Sequence, residues 1–184
     1  MDSNFPTRRE VSARLFSVFA LAGFAGGALA VAEEPTSSVD NGISRTCECI
    51  HQEVAFTATP SRLYKALTDA GQFGRLTESI MPGAAASTAI SPHVGGEFSM
   101  FKGIIVGRHI EMVPNVRLVQ AWREKDWDPG HYSVVRFQLN PQPSGTRLVF
   151  DHTGFPQGAA DHLSVGWKSH YWEPLQKYLA QAPK

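Results

Sequence analysis

The C-terminal segment SVGWKSHYWEPLQKYL sets the tightest limit on the fold, because Leu163, Trp167, Tyr171 and Leu175 recur at every fourth position. With Tyr178 and Leu179 extending the stripe, this spacing predicts a helix with one broad aromatic face. Such a face needs an apolar surface to lie on, and burial of Trp167 and Tyr171 contributes about 2 to 3 kcal/mol each. Pro174 lacks the amide that would reach the carbonyl of His170, so the helix is expected to bend there and follow a curved partner.

The upstream sequence supplies that partner. From Ile50 to Ala58 the apolar Ile50, Val54 and Phe56 alternate with His51, Glu53 and Thr57, which gives strand periodicity with Gln52 as its exception. TPSRLYKALTD then reads as a short amphipathic helix, with proline at its start and Leu63 and Leu67 four apart. Six strand-like runs follow between Gly, Pro and Asn residues: 86–90, 96–101, 104–113, 117–125, 132–139 and 146–152. In the third run, alternation groups Ile104, Val106, Arg108, Ile110 and Met112 on one face and Gly107, His109 and Glu111 on the other. In the fifth, Ser133, Val135, Phe137 and Leu139 alternate against Tyr132, Arg136 and Gln138. NPQPSG reads as a compact hairpin loop in which Gly145 is free to take positive φ. The expected class is α+β, an antiparallel meander with one apolar face covered by the terminal helix.

The beginning of the chain has a different character. TRREVSARL precedes the apolar run LFSVFALAGFAGGALAVA and the polar EEPTSSVDNG, the layout of an export signal over residues 1–32. Thr7, Arg8, Arg9 and Val11 resemble the twin-arginine signal of bacteria, with Val11 and Ser12 standing where a Phe-Leu pair is usual. Cleavage is expected after Ala30-Val31-Ala32, or after Ala28-Leu29-Ala30, leaving a periplasmic protein. An uncleaved membrane anchor from Leu15 to Ala32 is the alternative. Residues 33–45 form a polar leader, and the folded domain spans 46–184.

Seventeen basic residues balance seventeen acidic ones, so the chain lacks the charge footprint of a nucleic-acid binder. Cys47 and Cys49 have neither zinc-site nor thioredoxin-like spacing, and a bridge across one residue strains disulfide geometry. Seven scattered histidines include no HExxH pair, so no metal and no cofactor is expected. A G-x-S-x-G nucleophile turn is missing, and Val94 to Gly96 lacks the further glycine and lysine of a phosphate loop.

The segments VGGEFSMFKGIIVGRHIEMVPNVRLVQAWREKDWDPGHYSVVRFQL, GTRLVFDHTGFP and GWKSHYWEPLQKYL resemble, in order, the family named after the activator of the heat-shock-protein-90 ATPase. The resemblance runs from about Ile50 to Leu179, and its opening helix lacks the tryptophan many relatives carry near Phe73 to Leu76. It implies the helix-grip fold of the SRPBCC superfamily, which includes START-like and birch-pollen-allergen-like proteins. In the eukaryotic co-chaperone a separate N-terminal domain carries much of the chaperone contact. An exported chain meets neither ATP nor a cytosolic chaperone, so the twin-arginine machinery in transit is the expected protein partner and chaperone activation is not expected.

Helix-grip domains often hold an apolar ligand between sheet and helix. The inward candidates here are Phe98, Met100, Met112, Trp122, Phe137, Phe150, His152, Trp167 and Tyr171, suited to a hydrophobic small molecule unless they fill the interior themselves. His152 shares the parity of Leu148 and Phe150, while Asp151 faces away. It is the one candidate for acid/base work in a cyclase- or aromatase-like enzyme, against a hydrogen-bonded core histidine. Arg108 and Gln120 raise the same question as polar residues among apolar neighbours. Three functions follow: a small-molecule binder, such an enzyme, or a protein-interaction module.

Overall fold

The computed structural model describes residues 48–181; the segments expected as signal and leader, and Cys47, lie outside them. Among the described residues no helix is long and apolar enough to cross a membrane, and Cys49 is an exposed free thiol.

Strand β1 (Cys49–Phe56) opens the domain and leads into α1 (Pro60–Thr68) and α2 (Ala70–Glu78). Thr59 Oγ1 accepts from the Arg62 amide and Pro60 fills the first turn, so α1 starts where the sequence places a proline. Asp69 ends α1 and caps α2 by accepting from the Gln72 amide at 2.8 Å. The segment expected as the strand 86–90 is strand only in its last two residues and begins as helix. The Glu78 carboxylate accepts from the amides of Gly83 and Ala85 and starts the turn α3 (Ala84–Ser87), leaving two residues for β2 (Ala89–Ile90). These amides also hold the Glu78 carboxyl below its ordinary pKa.

Strands β3 (Glu97–Met100), β4 (Ile105–Val113), β5 (Arg117–Glu124), β6 (Ser133–Gln142) and β7 (Gly145–Thr153) complete an antiparallel seven-stranded sheet in the order β1-β7-β6-β5-β4-β3-β2. The β6–β7 hairpin closes at Gln142–Gly145, tighter than the six-residue loop expected. Gly145 has φ 138°, and a Cβ there would stand 2.1 Å from the Phe56 carbonyl oxygen, so no other residue fits.

The inward set of β5, β6 and β7 matches the alternation read from sequence, with Leu118, Trp122, Val135, Phe137, Leu148 and Phe150 all buried. In β4 the expected parity is reversed. Ile105, Gly107 and His109 face inward, whereas Val106 is half-buried and Arg108 and Ile110 are exposed. A bulge at Ile110 shifts the register, so that His109 pairs with Gln120 but Met112 pairs with Leu118. The extra residue returns Met112 to the inner face. Gly107 is required because the Phe98 ring lies over it, where a Cβ would come within 2.3 Å. Arg108 bonds Glu97 and the Gly95 carbonyl on the outside, while Gln120 is buried with its amide 3.4 Å from His109 Nδ1.

The terminal helix runs as α4 (Ala160–Gly166), a π-helical segment (Trp167–Trp172) and α5 (Glu173–Leu179). The disturbance expected at Pro174 takes this wider form: the Glu173 amide reaches back five residues to the Lys168 carbonyl. A proline ring collides with the carbonyl four residues before it, here that of His170, and a wider turn relieves that collision. The added residue also brings Trp172 into the buried stripe with Leu163, Trp167, Tyr171, Leu175 and Leu179. Trp167 packs on Phe150 at a ring separation of 4.3 Å and Trp172 on Phe150 at 5.1 Å. Helix and curved sheet thus form the α+β helix-grip fold, with the core between them.

A buried hydrogen-bond relay and an apolar cavity

Two polar clamps fix the helix on the sheet. Gln52, the exception in the first strand, faces inward; its carbonyl accepts from Trp172 Nε1 and its amide donates to Ser164 Oγ at 2.9 Å. The second clamp centres on His152, which is 0% exposed. Trp167 Nε1 donates to His152 Nδ1 at 3.0 Å. An indole nitrogen only donates, so Nδ1 carries no proton and the hydrogen sits on Nε2. Nε2 therefore donates to Ser133 Oγ at 2.7 Å, and Ser133 donates to the Trp122 carbonyl at 2.8 Å. Every group in this relay is satisfied. Burial holds the His152 imidazole down to about 3, and a second proton would oppose two donors across the Trp167 contact. On the outer face Asp151 accepts from Arg136 and His51 at 2.7 Å each, as its opposite parity requires.

An apolar cavity of about 230 Å³ lies beside the relay, between the terminal helix and the β3–β4 connection. Trp122, Trp167 and Tyr171 form its inner wall, Phe101, Ile104, Ile105 and Leu163 its sides, and the more exposed Ile80, Glu124, His162 and His170 its mouth. His162 Nε2 stands 3.6 Å from a Glu124 carboxylate oxygen. The connection that builds one side is strained: Phe101 and Lys102 take φ of 52° and 57° before Gly103 at 80°. A left-handed phenylalanine persists only where its ring is held, here by Phe73 at 5.6 Å and Tyr171 at 5.3 Å.

Two buried polar atoms of residues that line the cavity, Trp122 Nε1 and the Tyr171 hydroxyl, have no hydrogen-bond partner among the described residues. The two groups are neighbours but miss hydrogen-bond geometry. Burial raises the Tyr171 phenol above its ordinary pKa; the Trp122 N–H opposes that shift and the Glu124 carboxylate adds to it.

Of the nine inward candidates, the structure brings Trp122, Trp167 and Tyr171 to the cavity. Phe98, Met100, Phe137, Phe150 and His152 are packed in the interior and Met112 is half-buried at its margin. Alternation selects residues facing the middle of the sheet, whereas the empty space lies where the sheet gives way to a turn. Phe101, Ile104 and Ile105 were therefore missed; the sequence signal for them is the apolar pair flanking Lys102 and Gly103. Among the described residues no group of three His, Cys, Asp or Glu side chains is placed to hold a metal. A second, larger and more polar groove of about 770 Å³ between α1, α2 and α5 has Arg62, Lys65, Arg75 and Lys177 among its lining residues.

Comparison with known proteins places these features. Residues 57–180 match the family described as "Activator of Hsp90 ATPase homolog 1-like protein". The mouse activator of 90 kDa heat shock protein ATPase homolog 2 is 26% identical over 143 residues, covering 78% of this chain and 41% of that protein. The human homolog 1 is 25% identical over 132 residues, covering 72% and 37%. The chain thus spans about two fifths of the length of these relatives. An HSP90 activator from Plasmodium falciparum superposes with a TM-score of 0.63 at 26% identity, covering 74% of this chain and 98% of that one. The Aha1 dimer from Colwellia psychrerythraea, at 17% identity, TM-score 0.59 and 72% and 96% coverage, shares the fold. With two thirds of its length matched, and with the sheet, grip helix and order of elements that the relatives share, the chain belongs to the Activator of Hsp90 ATPase homolog 1-like family.

Proposed function

We propose that this protein is an exported binder of a small hydrophobic molecule, held between the curved sheet and the terminal helix. The observation that carries the reading is the cavity walled by Trp122, Trp167, Tyr171 and Phe101. Its volume of about 230 Å³ is below the common range for drug-sized ligands, roughly 300 to 1,000 Å³. It exceeds the ~150 Å³ that suffices for benzene, so the occupant is a compound of about one ring with short substituents rather than a lipid. Export rests on the n-region, h-region and small-residue pattern of residues 1–32, and N-terminal sequencing of the periplasmic protein checks it.

Mass spectrometry of compounds extracted from the purified chain is expected to return one small apolar species near equimolar amount. Ile104→Phe, which fills the cavity from its side, is expected to weaken retention at least about tenfold, since the ring takes the ligand's place. A native chain that carries nothing and gains no thermal stability from indole would remove this reading.

A second reading is a co-chaperone-like contact. The relatives are named for activating an ATPase, and the Arg62, Lys65, Arg75 and Lys177 groove offers an acidic partner surface a complement. Unchanged turnover of an HSP90-type ATPase at saturating chain would count against it.

A further inference from the structure

Resting on the cavity's reading as a ligand site, we propose that its occupant is a neutral carbonyl compound, whose oxygen accepts from both Trp122 Nε1–H and the Tyr171 hydroxyl. Two buried donors lack partners. Trp122 is 2% and Tyr171 5% exposed, and neither polar atom has a partner among the described residues. A buried donor left unpaired is costly, and folded proteins keep few of them. Here two belong to neighbouring residues whose rings line the same cavity.

The chemistry of the pair restricts the ligand. An indole N–H donates and accepts nothing, so the ligand must bring an acceptor. A carbonyl oxygen has two lone pairs and takes both donors at once. Glu124, at the mouth of the cavity, disfavours a carboxylate head by like charge. An ammonium head suits Glu124 but offers only donors and leaves the indole N–H unpaired. What remains is an apolar body against Phe101, Ile105 and Leu163 with one uncharged acceptor: a ketone, aldehyde, ester or lactone of about one ring. Both donor atoms are closed off from solvent, so this binding mode requires the two rings to part.

Four probes of nearly equal size separate the possibilities: acetophenone, isopropylbenzene, benzoate and benzylamine, titrated into the full chain and followed by NMR and calorimetry. Acetophenone is expected to bind about tenfold more tightly than the other three, the worth of two neutral hydrogen bonds. It should move the Trp122 indole N–H resonance downfield, and isopropylbenzene should not. Tyr171→Phe is expected to weaken acetophenone about fivefold and leave isopropylbenzene unchanged, with a melting temperature equal to or above that of the parent because the hydroxyl has no partner to lose. If that variant fails to fold, the indole resonance carries the test. Equal binding of acetophenone and isopropylbenzene, or tighter binding of benzoate or benzylamine, would overturn the carbonyl preference and leave the ligand site standing. Failure of all four to bind would sink the ligand site itself.

Discussion

His152→Ala is expected to destabilise the domain by about 3 to 5 kcal/mol, lowering the melting temperature by at least about 10 °C. The imidazole is 0% exposed and packed among Trp122, Phe155 and Trp167, so truncation opens a cavity that aromatic rings cannot collapse to fill. It also strands the Trp167 indole N–H. His152→Phe restores the volume without the acceptor and is expected to recover part of the loss, leaving about 1 to 3 kcal/mol for the orphaned donor. Denaturant titration of both variants checks this. A His152→Ala protein as stable as the parent would mean that the relay does not hold the helix. That outcome is what the cyclase-like reading of the sequence requires, since a catalytic histidine should be dispensable for folding. The saturated, solvent-free His152 favours the structural role.

Acidification is expected to cost the fold nearly as much through the same residue. In the unfolded chain a histidine titrates near about 6.5. In the folded chain burial holds His152 at about 3, so between these values the unfolded state binds a proton that the folded state refuses. Stability is therefore complete above about pH 6.5 and falls as pH drops toward 3, with a slope approaching about 1.4 kcal/mol per pH unit and a total of at most 4 to 5 kcal/mol. His109 adds in the same direction, its pKa lowered by burial and by His93. Guanidinium unfolding at stepped pH measures the slope, and His152→Gln, which cannot titrate, should flatten it. An equally steep dependence in that variant would assign the proton uptake elsewhere.

The sequence made the grip legible because it is periodic. Leu163, Trp167, Tyr171 and Leu175 mark the helix, and the clean alternation of Ser133, Val135, Phe137 and Leu139 marks the sheet it covers. Periodicity failed where the backbone breaks its own period. Ile110 in β4 looks like an inward residue, but it is the bulged one and is 48% exposed, while Gly107 and His109 turn inward. Trp172 falls outside a stripe of four and joins it only through π winding. Gln52 was visible as an anomaly, although its partners lie more than 100 residues away and only tertiary structure brings them together. The cavity was the least legible feature. Three of its lining residues were in the inward set, but empty volume comes from how a strained turn meets a helix end, and no spacing rule encodes that.

The π segment carries a consequence for insertions and deletions. A residue inserted between Trp167 and Trp172, or the same residues wound as an ordinary α-helix, would swing everything beyond by about 100° around the axis. Trp172 would leave Gln52, and Leu175 and Leu179 would rotate toward water. Lys168 and His170, both exposed, can change identity with little effect on the core. Their number cannot grow, and a deletion is tolerated only where the wide turn closes to α winding, so in this stretch the chain is a ruler whose graduations matter more than the marks printed on them.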